Sequence, residues 1–307
     1  MNDIPILKKA LRTIQQLKKL VQEKKEFSFE PIAIVGMSCR LPQAHNLDEF
    51  WNLLATGKNI ITPLSEQRWN LLQGTKEPLE RKADLTYRGG YLEDIAAFDA
   101  YFFGISPREA LWMDPQQRLL LEVSYEALEN AGLPLEQVQG SQTAVFSSLY
   151  ASQYGHLQTL DSAMDALFLP TGSAVSIAAN RLSYLWDLRG PSMVLDTACS
   201  SSLIAIHLAC LHLQANLCEQ ALVNAVNINL LPSIHAILAQ ASMLSPAGQC
   251  KTFDAQADGY VQGEGAAAIV LKPLSKALKD QDRIYALILG GAVNQDGKTN
   301  GLTAPNG

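Results

Sequence analysis

Cysteine is scarce in this chain of 307 residues, and the five that occur include no C-x-x-C pair. A disulfide framework and a thiolate zinc site are therefore not predicted, whereas a reducing, cytoplasmic location is. Charged residues make up only 18% of the chain and the formal net charge is −6, which argues against a nucleic-acid-binding surface. No run reaches the roughly 18 apolar residues of a membrane span, and the start lacks the features of a signal peptide. We expect a cytoplasmic, globular protein that binds neither nucleic acid nor membrane.

The N-terminal segment combines an apolar stripe with a local positive charge. Apolar residues recur at spacings of three and four and predict one amphipathic helix over residues 4–25. They are Ile4, Leu7, Leu11, Ile14, Leu17 and Val21. Residues 3–26 carry a net charge of +4, which leaves −10 for the rest of the chain. Such a helix either packs on its own domain or docks to another polypeptide as a short coiled coil, and the pattern leaves both open.

Further along, strand-like and helix-like segments alternate, which indicates an α/β fold. Pro31 precedes a compact apolar run that ends at Gly36 and predicts a buried strand. A helix is predicted over 114–131, because Pro115 stands in its first turn and Gly132 follows its end, and a shorter one over 47–54. The other predicted strands are TAVFSS, PSMVLDTA, QALVNAVNINL, GAAAIVLKPL and IYALILGGAV. Residues 62–87 are polar and without a clear period, which predicts a long surface excursion.

The stretch PSMVLDTACSSSLIAIHLACLHL places Cys199 between an apolar strand and a helix. At a helix N-terminus the unpaired backbone N–H groups and the helix dipole stabilise a thiolate. Ser200, Ser201 and Ser202 are expected to cap this helix. A strand, turn and helix is also how α/β folds present a nucleophile. Cys199 is therefore the candidate nucleophile, and the alternative is a buried structural cysteine, the commoner role of a free thiol.

A nucleophilic cysteine needs a base, but local geometry places no histidine beside Cys199. His207 lies eight residues further along the same helix, roughly 12 Å away, and His212 is further still. His207 and Cys210 could mimic two metal ligands, but no third ligand follows at usable spacing, so a packing role is expected. The remaining histidines, His45, His156 and His235, are not placed by spacing.

The run GEGAAA at 263–268 matches a loose dinucleotide-binding pattern. That fingerprint follows a strand and opens a helix, whereas the residues after 265 themselves predict a strand. We therefore expect a close-packed turn here and no nucleotide site.

Six segments resemble, in order, the ketosynthase domain of type I modular polyketide synthases. They are EPIAIVGMSCRLP, GISPREALWMDPQQRLLLEVSYEALENAG, TGSAVSIAANRLSYLWDLRGPS, DTACSSSL, FDAQADGYVQGEGAAAIVLK and AVNQDGKTNGLTAPNG. The resemblance implies a thiolase-like, layered α/β/α/β/α fold and a homodimer. It implies that residues 29–278 form the N-terminal half of that fold and that 279–307 begin a truncated C-terminal half. Residues 1–28 correspond in position to the family's docking coiled coil, which implies docking to an upstream synthase polypeptide.

The same resemblance implies a reaction. Cys199 would take an acyl chain from the phosphopantetheine arm of an acyl carrier protein and condense it with a decarboxylated malonyl-type extender. The chain itself would bind no cofactor and no metal, because phosphopantetheine is carried by the partner. The family's two catalytic histidines occur in a His-Gly-Thr-Gly-Thr run and in a Gly-His run preceded by lysine, and neither run is in this sequence. The alternative is therefore a truncated or split interaction module that keeps the docking helix and the acylatable cysteine but does not condense.

Two departures from the family pattern fall close to Cys199. Asn224 and Ala225 stand where the family usually has two glycines, and Ser147 and Ser148 replace a small apolar residue and a glycine. Asn and Ala are accommodated at such positions if the backbone φ there is negative.

Overall fold

The computed structural model describes residues 13–14, 30–73, 87–160, 166–301, 304 and 306. Thr13 and Ile14 are helical, and the rest of the predicted N-terminal helix and docking segment lies outside the described residues. The described chain combines helices with a mixed sheet, which confirms the predicted α/β class. The proposed division at residue 278 stays a prediction.

Nine strands occur among the described residues, six in a main sheet and three in a small one. They are β1 (Ile32–Arg40), β2 (Thr62–Pro63), β3 (Arg88–Gly90), β4 (Thr143–Ser148), β5 (Ser192–Leu195), β6 (Gln220–Asn227), β7 (Gln262–Gly263), β8 (Gly265–Pro273) and β9 (Ala286–Ile288). The main sheet has the order β5-β4-β6-β8-β1-β9, and the small sheet the order β2-β3-β7. Strands β5, β4 and β6 run parallel, and the other pairs of the main sheet are antiparallel. The carboxyl ends of the three parallel strands therefore share one edge.

Helices cover both faces of the main sheet. They are α1 (Leu47–Thr56), α2 (Glu66–Gln73), α3 (Pro107–Trp112), α4 (Pro115–Asn130), α5 (Leu135–Val138), α6 (Gln153–Leu160), α7 (Leu169–Ser173), α8 (Val175–Leu185), α9 (Ser201–Gln214), α10 (Pro232–Gln240) and α11 (Leu274–Asp280). Helix α4 packs on one face and α9 on the other. Side chains of β4 alternate between the two faces, so Val145 joins the core under α4 and Phe146 the core under α9.

Helix α4 forms where the sequence predicts it. The Asp114 carboxylate caps it by accepting from the Gln116 N–H at 2.8 Å, and Gly132, with a φ of +68°, follows its C-terminal turn. Gly36 of β1 lies against this helix, where a Cβ would overlap the carbonyl oxygen of Ala127. A glycine in the middle of β1 is therefore required by the close approach of α4.

Two strand predictions had the wrong length. Strand β1 does not end at Gly36 but continues to Arg40, because its second part also pairs with β8, with a register shift between Ile34 and Gly36. The segment IYALILGGAV forms only the three residues of β9, because β9 pairs only with Ile32–Ile34 of β1. The strand predictions at β4 and β8 are confirmed, and those at β5 and β6 are confirmed with earlier ends.

The predicted surface excursion over 62–87 is wrong for its first part, and residues 74–86 lie outside the described chain. Helix α2 occurs there, and its Arg68 is only 1% exposed. The guanidinium binds the Glu264 carboxylate in a bidentate pair, at 2.9 Å and 2.8 Å. The backbone N–H groups of Leu92 and Asn229 donate to the same carboxylate. The GEGAAA run thus holds a structural carboxylate and continues as strand β8, as expected.

Three residues of the two departures, Ser147, Ser148 and Asn224, are buried in the core, and Ala225 is partly buried. Ser147 of β4 and Asn224 of β6 are neighbours in register, and neither Asn224 nor Ala225 has a positive φ, so the backbone accommodates both. The Asn224 Nδ2 donates to Ser124 Oγ of α4 at 2.9 Å. Ser147 Oγ, Ser148 Oγ and Asn224 Oδ1 have no hydrogen-bond partner among the described residues. This part of the core therefore contains polar atoms that cost stability.

We expect Ser147→Ala to raise the free energy of unfolding by about 1–2 kcal/mol, because it removes a buried hydroxyl without a partner. Ser124→Ala is the matched control, since Ser124 is equally buried but accepts from Asn224. It should lower the free energy of unfolding by a similar amount. Urea titration of both variants measures this, and a loss of stability in Ser147→Ala would contradict it.

Candidate active site

Cys199 is solvent-exposed and lies in the short turn between β5 and α9. Strand β5 is the edge strand beside β4, with Leu195 opposite Ser148, and the turn begins directly after it. The thiol therefore stands at the carboxyl edge of the parallel strands and just before the first turn of α9, as the sequence predicts. This position combines access for a substrate with the unpaired N–H groups of a helix N-terminus.

The turn is held by its own hydrogen bonds. The Thr197 N–H donates to Ser201 Oγ at 2.8 Å, and Ser201 Oγ donates to the Ala198 carbonyl oxygen at 2.7 Å. Ala198 has a φ of +53°, an uncommon value for a residue with a Cβ, directly before Cys199. The serines were expected to cap α9, but this is wrong: Ser200 occupies the N-cap without a side-chain capping bond. Ser200 and Ser201 bind the turn instead, and so fix the position of Cys199.

The other cysteines differ from Cys199 in exposure or in place. Burial raises the pKa of the Cys210 and Cys218 thiols to about 11. Burial also raises the pKa of Cys39. Cys250 is exposed, but it lies in an irregular segment, where its sulfur accepts from the Val261 N–H at 3.2 Å. Among the cysteines of the described chain, Cys199 alone is both exposed and located at a helix N-terminus.

Tyr260 is a neighbour of Cys199 that sequence spacing did not reveal. Partial burial raises the pKa of its phenol, and the negative charge of the Cys199 thiolate raises it further. The two residues are 61 positions apart in the chain, so neither helical nor strand periodicity relates them. Folding therefore brings the segment before β7 close enough for Tyr260 to interact electrostatically with Cys199.

Three histidines of the described chain, His207, His212 and His235, contact groups other than Cys199. His207 is half-buried and packs against the segment after β9, where a Cβ on Gly291 would lie 2.9 Å from its Nδ1. His212 Nδ1 is 2.8 Å from the Leu208 carbonyl oxygen. His235 Nδ1 is 2.8 Å from Gln262 Oε1. The packing role predicted for His207 agrees with these contacts.

No group of three or more His, Cys, Asp or Glu side chains that could hold a metal ion occurs among the described residues. No helix in the described part of the chain is long and apolar enough to cross a membrane.

The described chain places a cysteine between a parallel strand and a helix, on a mixed sheet covered on both faces by helices. The family model "Beta-ketoacyl synthase, N-terminal domain" matches residues 29–277. The chain belongs to this β-ketoacyl synthase family.

The relatives are polyketide synthases. One subunit of the phenolphthiocerol/phthiocerol polyketide synthase of Mycobacterium tuberculosis is 50% identical over 279 residues, which cover 90% of this chain and 15% of that protein. Another subunit of the same synthase is 46% identical over 311 residues, which cover 98% of this chain and 14% of that protein. This chain therefore matches a small part of each relative's length.

Solved ketosynthases share the fold. The ketosynthase from module 6 of the bacillaene synthase of Bacillus subtilis superposes with a TM-score of 0.80 at 41% identity, over 90% of this chain and 46% of that one. The oxazolomycin ketosynthase domain of Streptomyces albus gives a TM-score of 0.81 at 37% identity, over 90% and 50%. These likenesses confirm the predicted thiolase-like fold. The chain spans about half of each solved ketosynthase.

Proposed function

We propose that this chain is the nucleophile-bearing part of a polyketide ketosynthase and that Cys199 is its acyl acceptor. One observation carries the proposal: the exposed thiol of Cys199 stands at the start of α9, on the carboxyl edge of three parallel strands. Membership in the β-ketoacyl synthase family supplies the reaction class.

Acylation needs only a thiolate and an accessible thioester. The Cys199 thiolate attacks the thioester carbonyl carbon of the donor, the carbon–sulfur bond of the donor breaks, and the released thiolate takes up a proton. The bond formed is again a thioester, so the exchange is close to neutral in energy, and the acyl group is stored on the enzyme. Cys199 stands directly before the unpaired N–H groups at the start of α9.

In the condensing step a malonyl-type thioester loses carbon dioxide and its α-carbon attacks the acyl carbonyl carbon on Cys199. The new carbon–carbon bond forms as the bond to the cysteine sulfur breaks, which regenerates the thiolate. The proposed donor is an acyl carrier protein that carries the chain on phosphopantetheine. A homodimer and docking to an upstream synthase polypeptide through residues 1–28 complete the proposal.

We expect an acyl thioester to label Cys199 near neutral pH and to leave Cys210 and Cys218 unmodified. The buried thiols are protonated there, because their pKa values lie at about 11, and reaction at them should grow only as the pH approaches that value. Cys250 is the matched exposed control and should be labelled far more slowly. Peptide mass spectrometry after incubation with acetyl-pantetheine locates the label, and equal labelling of Cys199 and Cys250 would refute the assignment.

A further inference from the structure

A cleft of about 220 Å³ opens beside Tyr260. Helix α10 and the segment from 244 to 262 enclose it. Its polar lining comes from the residues Arg88, His235, Ser245, Tyr260 and Gln262. Neither the acylation of Cys199 nor the packing of the core uses Arg88 or His235.

The Arg88 guanidinium is held in place by a backbone carbonyl. Its Nη2 donates to the Ile61 carbonyl oxygen at 3.2 Å, and no carboxylate lies within ion-pair distance of it in the described part of the chain. Its aliphatic stem passes over Gly248, which has a φ of +62° and where a Cβ would come within 2.6 Å of Arg88 Cδ. A larger residue at 248 would displace the stem, so the glycine fixes where the charge is presented.

His235 adds an imidazole ring to the cleft. The residue is 7% exposed, and its ring lies against Tyr87 with 4.7 Å between ring centroids. Its Nδ1 is 2.8 Å from Gln262 Oε1. This contact and the ring packing fix the orientation of the imidazole.

The carboxylates near the cleft are already paired. Asp258 accepts from Ser245 Oγ at 2.8 Å and from Lys251 Nζ at 2.7 Å. Glu264, two residues beyond Gln262, forms the buried ion pair with Arg68. Among the described residues that line the cleft, Arg88 is therefore the charged one, in a chain whose net charge is −6.

We propose that this cleft is a binding site for a phosphate group, with Arg88 as its charged contact and His235 as a polar contact. A planar guanidinium presents two parallel N–H donors to phosphate oxygens, and such charge-assisted bonds are strong in a partly buried site. The phosphate could be a free ion or the phosphate of a phosphopantetheine thioester whose acyl end reaches Cys199 past Tyr260. The second source rests on the proposed function, whereas the first does not.

Titration of the full chain with inorganic phosphate, followed by calorimetry, tests the site itself. Wild type should bind saturably, and Arg88→Gln should weaken the affinity at least about tenfold, the effect of losing one charge-assisted contact. Arg88→Lys keeps a positive charge and a long stem and should lie between the two, which separates charge from folding. Arg283→Gln removes an arginine that stacks on Tyr285 outside the cleft and should bind like wild type. Unsaturable binding, or equal affinity in Arg88→Gln, would overturn the proposal.

A comparison of two donors then identifies the source of the phosphate. Acetyl-phosphopantetheine and acetyl-pantetheine differ only in the phosphate, so the ratio of their acylation rates at Cys199 reports its contribution. A ratio well above one in wild type that falls toward one in Arg88→Gln assigns the site to the thioester donor. A ratio of one in both proteins, with saturable phosphate binding, assigns it to the free ion. If neither donor acylates Cys199, the proposed function fails, while the phosphate titration still decides whether the cleft binds phosphate.

Discussion

Glu264→Gln should lower the free energy of unfolding by about 3–5 kcal/mol, the cost of leaving one partner of a buried ion pair without its counter-charge. The Glu264 carboxylate accepts two bonds from Arg68 and two from backbone N–H groups. An amide keeps the shape but replaces one accepting oxygen by an NH₂ group, which faces donors and accepts nothing. Arg68 then remains buried with its charge uncompensated. The free energy of unfolding of a domain is about 5–15 kcal/mol, so this loss is a large share of it.

Asp187→Asn is the matched control, because it makes the same acid-to-amide change in the exposed pair with Arg189. Solvent screens that pair, so no measurable change in stability is expected. The double variant Arg68→Met/Glu264→Leu should be more stable than Glu264→Gln, since it removes both charges together. Urea titration of the three proteins compares them, and a Glu264→Gln variant as stable as Asp187→Asn would show that the pair is not essential.

The same ion pair shows where sequence reasoning stopped. Local patterns identified α4, β4 and β8, because apolar periodicity, Pro115 and Gly132 are signals within one segment. They did not identify Arg68 as a core residue, because its partner is 196 positions away and its own segment is polar. A buried charge has no local signature, since its burial depends on a partner that folding brings to it.

The candidate site likewise contains one residue that local sequence patterns identified and others that they did not. Cys199 was found from strand, small-residue and helix signals that are contiguous in the sequence. Tyr260 and the cleft residues Arg88 and His235 were not, because three separate segments meet only when β3 pairs with β7 and α10 packs beside them. The sequence correctly placed the serines at the start of the helix, but the prediction that they cap it was wrong. The positive φ of Ala198 lets them bind the turn instead.

Cys199→Ser should reduce acyl transfer from a thioester by about 10³-fold or more, with little change in fold. Serine is nearly isosteric, but its hydroxyl is not ionised near neutral pH and is therefore a far weaker nucleophile than a thiolate. The nucleophile would be lost while the hydrogen bonds of Thr197, Ser200 and Ser201 remain. Single-turnover transfer of acetyl from acetyl-pantetheine, measured by intact-protein mass spectrometry, gives the rate.

Cys210→Ser serves as the control, because it makes the same substitution at a buried thiol further along the same helix and should leave the transfer rate unchanged. Transfer in Cys199→Ser at the wild-type rate would mean that another group accepts the acyl chain. The variant also separates the two sites, since a phosphate ion in the Arg88 cleft makes no bond to the thiol. Cys199→Ser should therefore retain wild-type affinity for inorganic phosphate while losing acyl transfer. This result would assign phosphate binding to the Arg88 cleft and acyl transfer to Cys199.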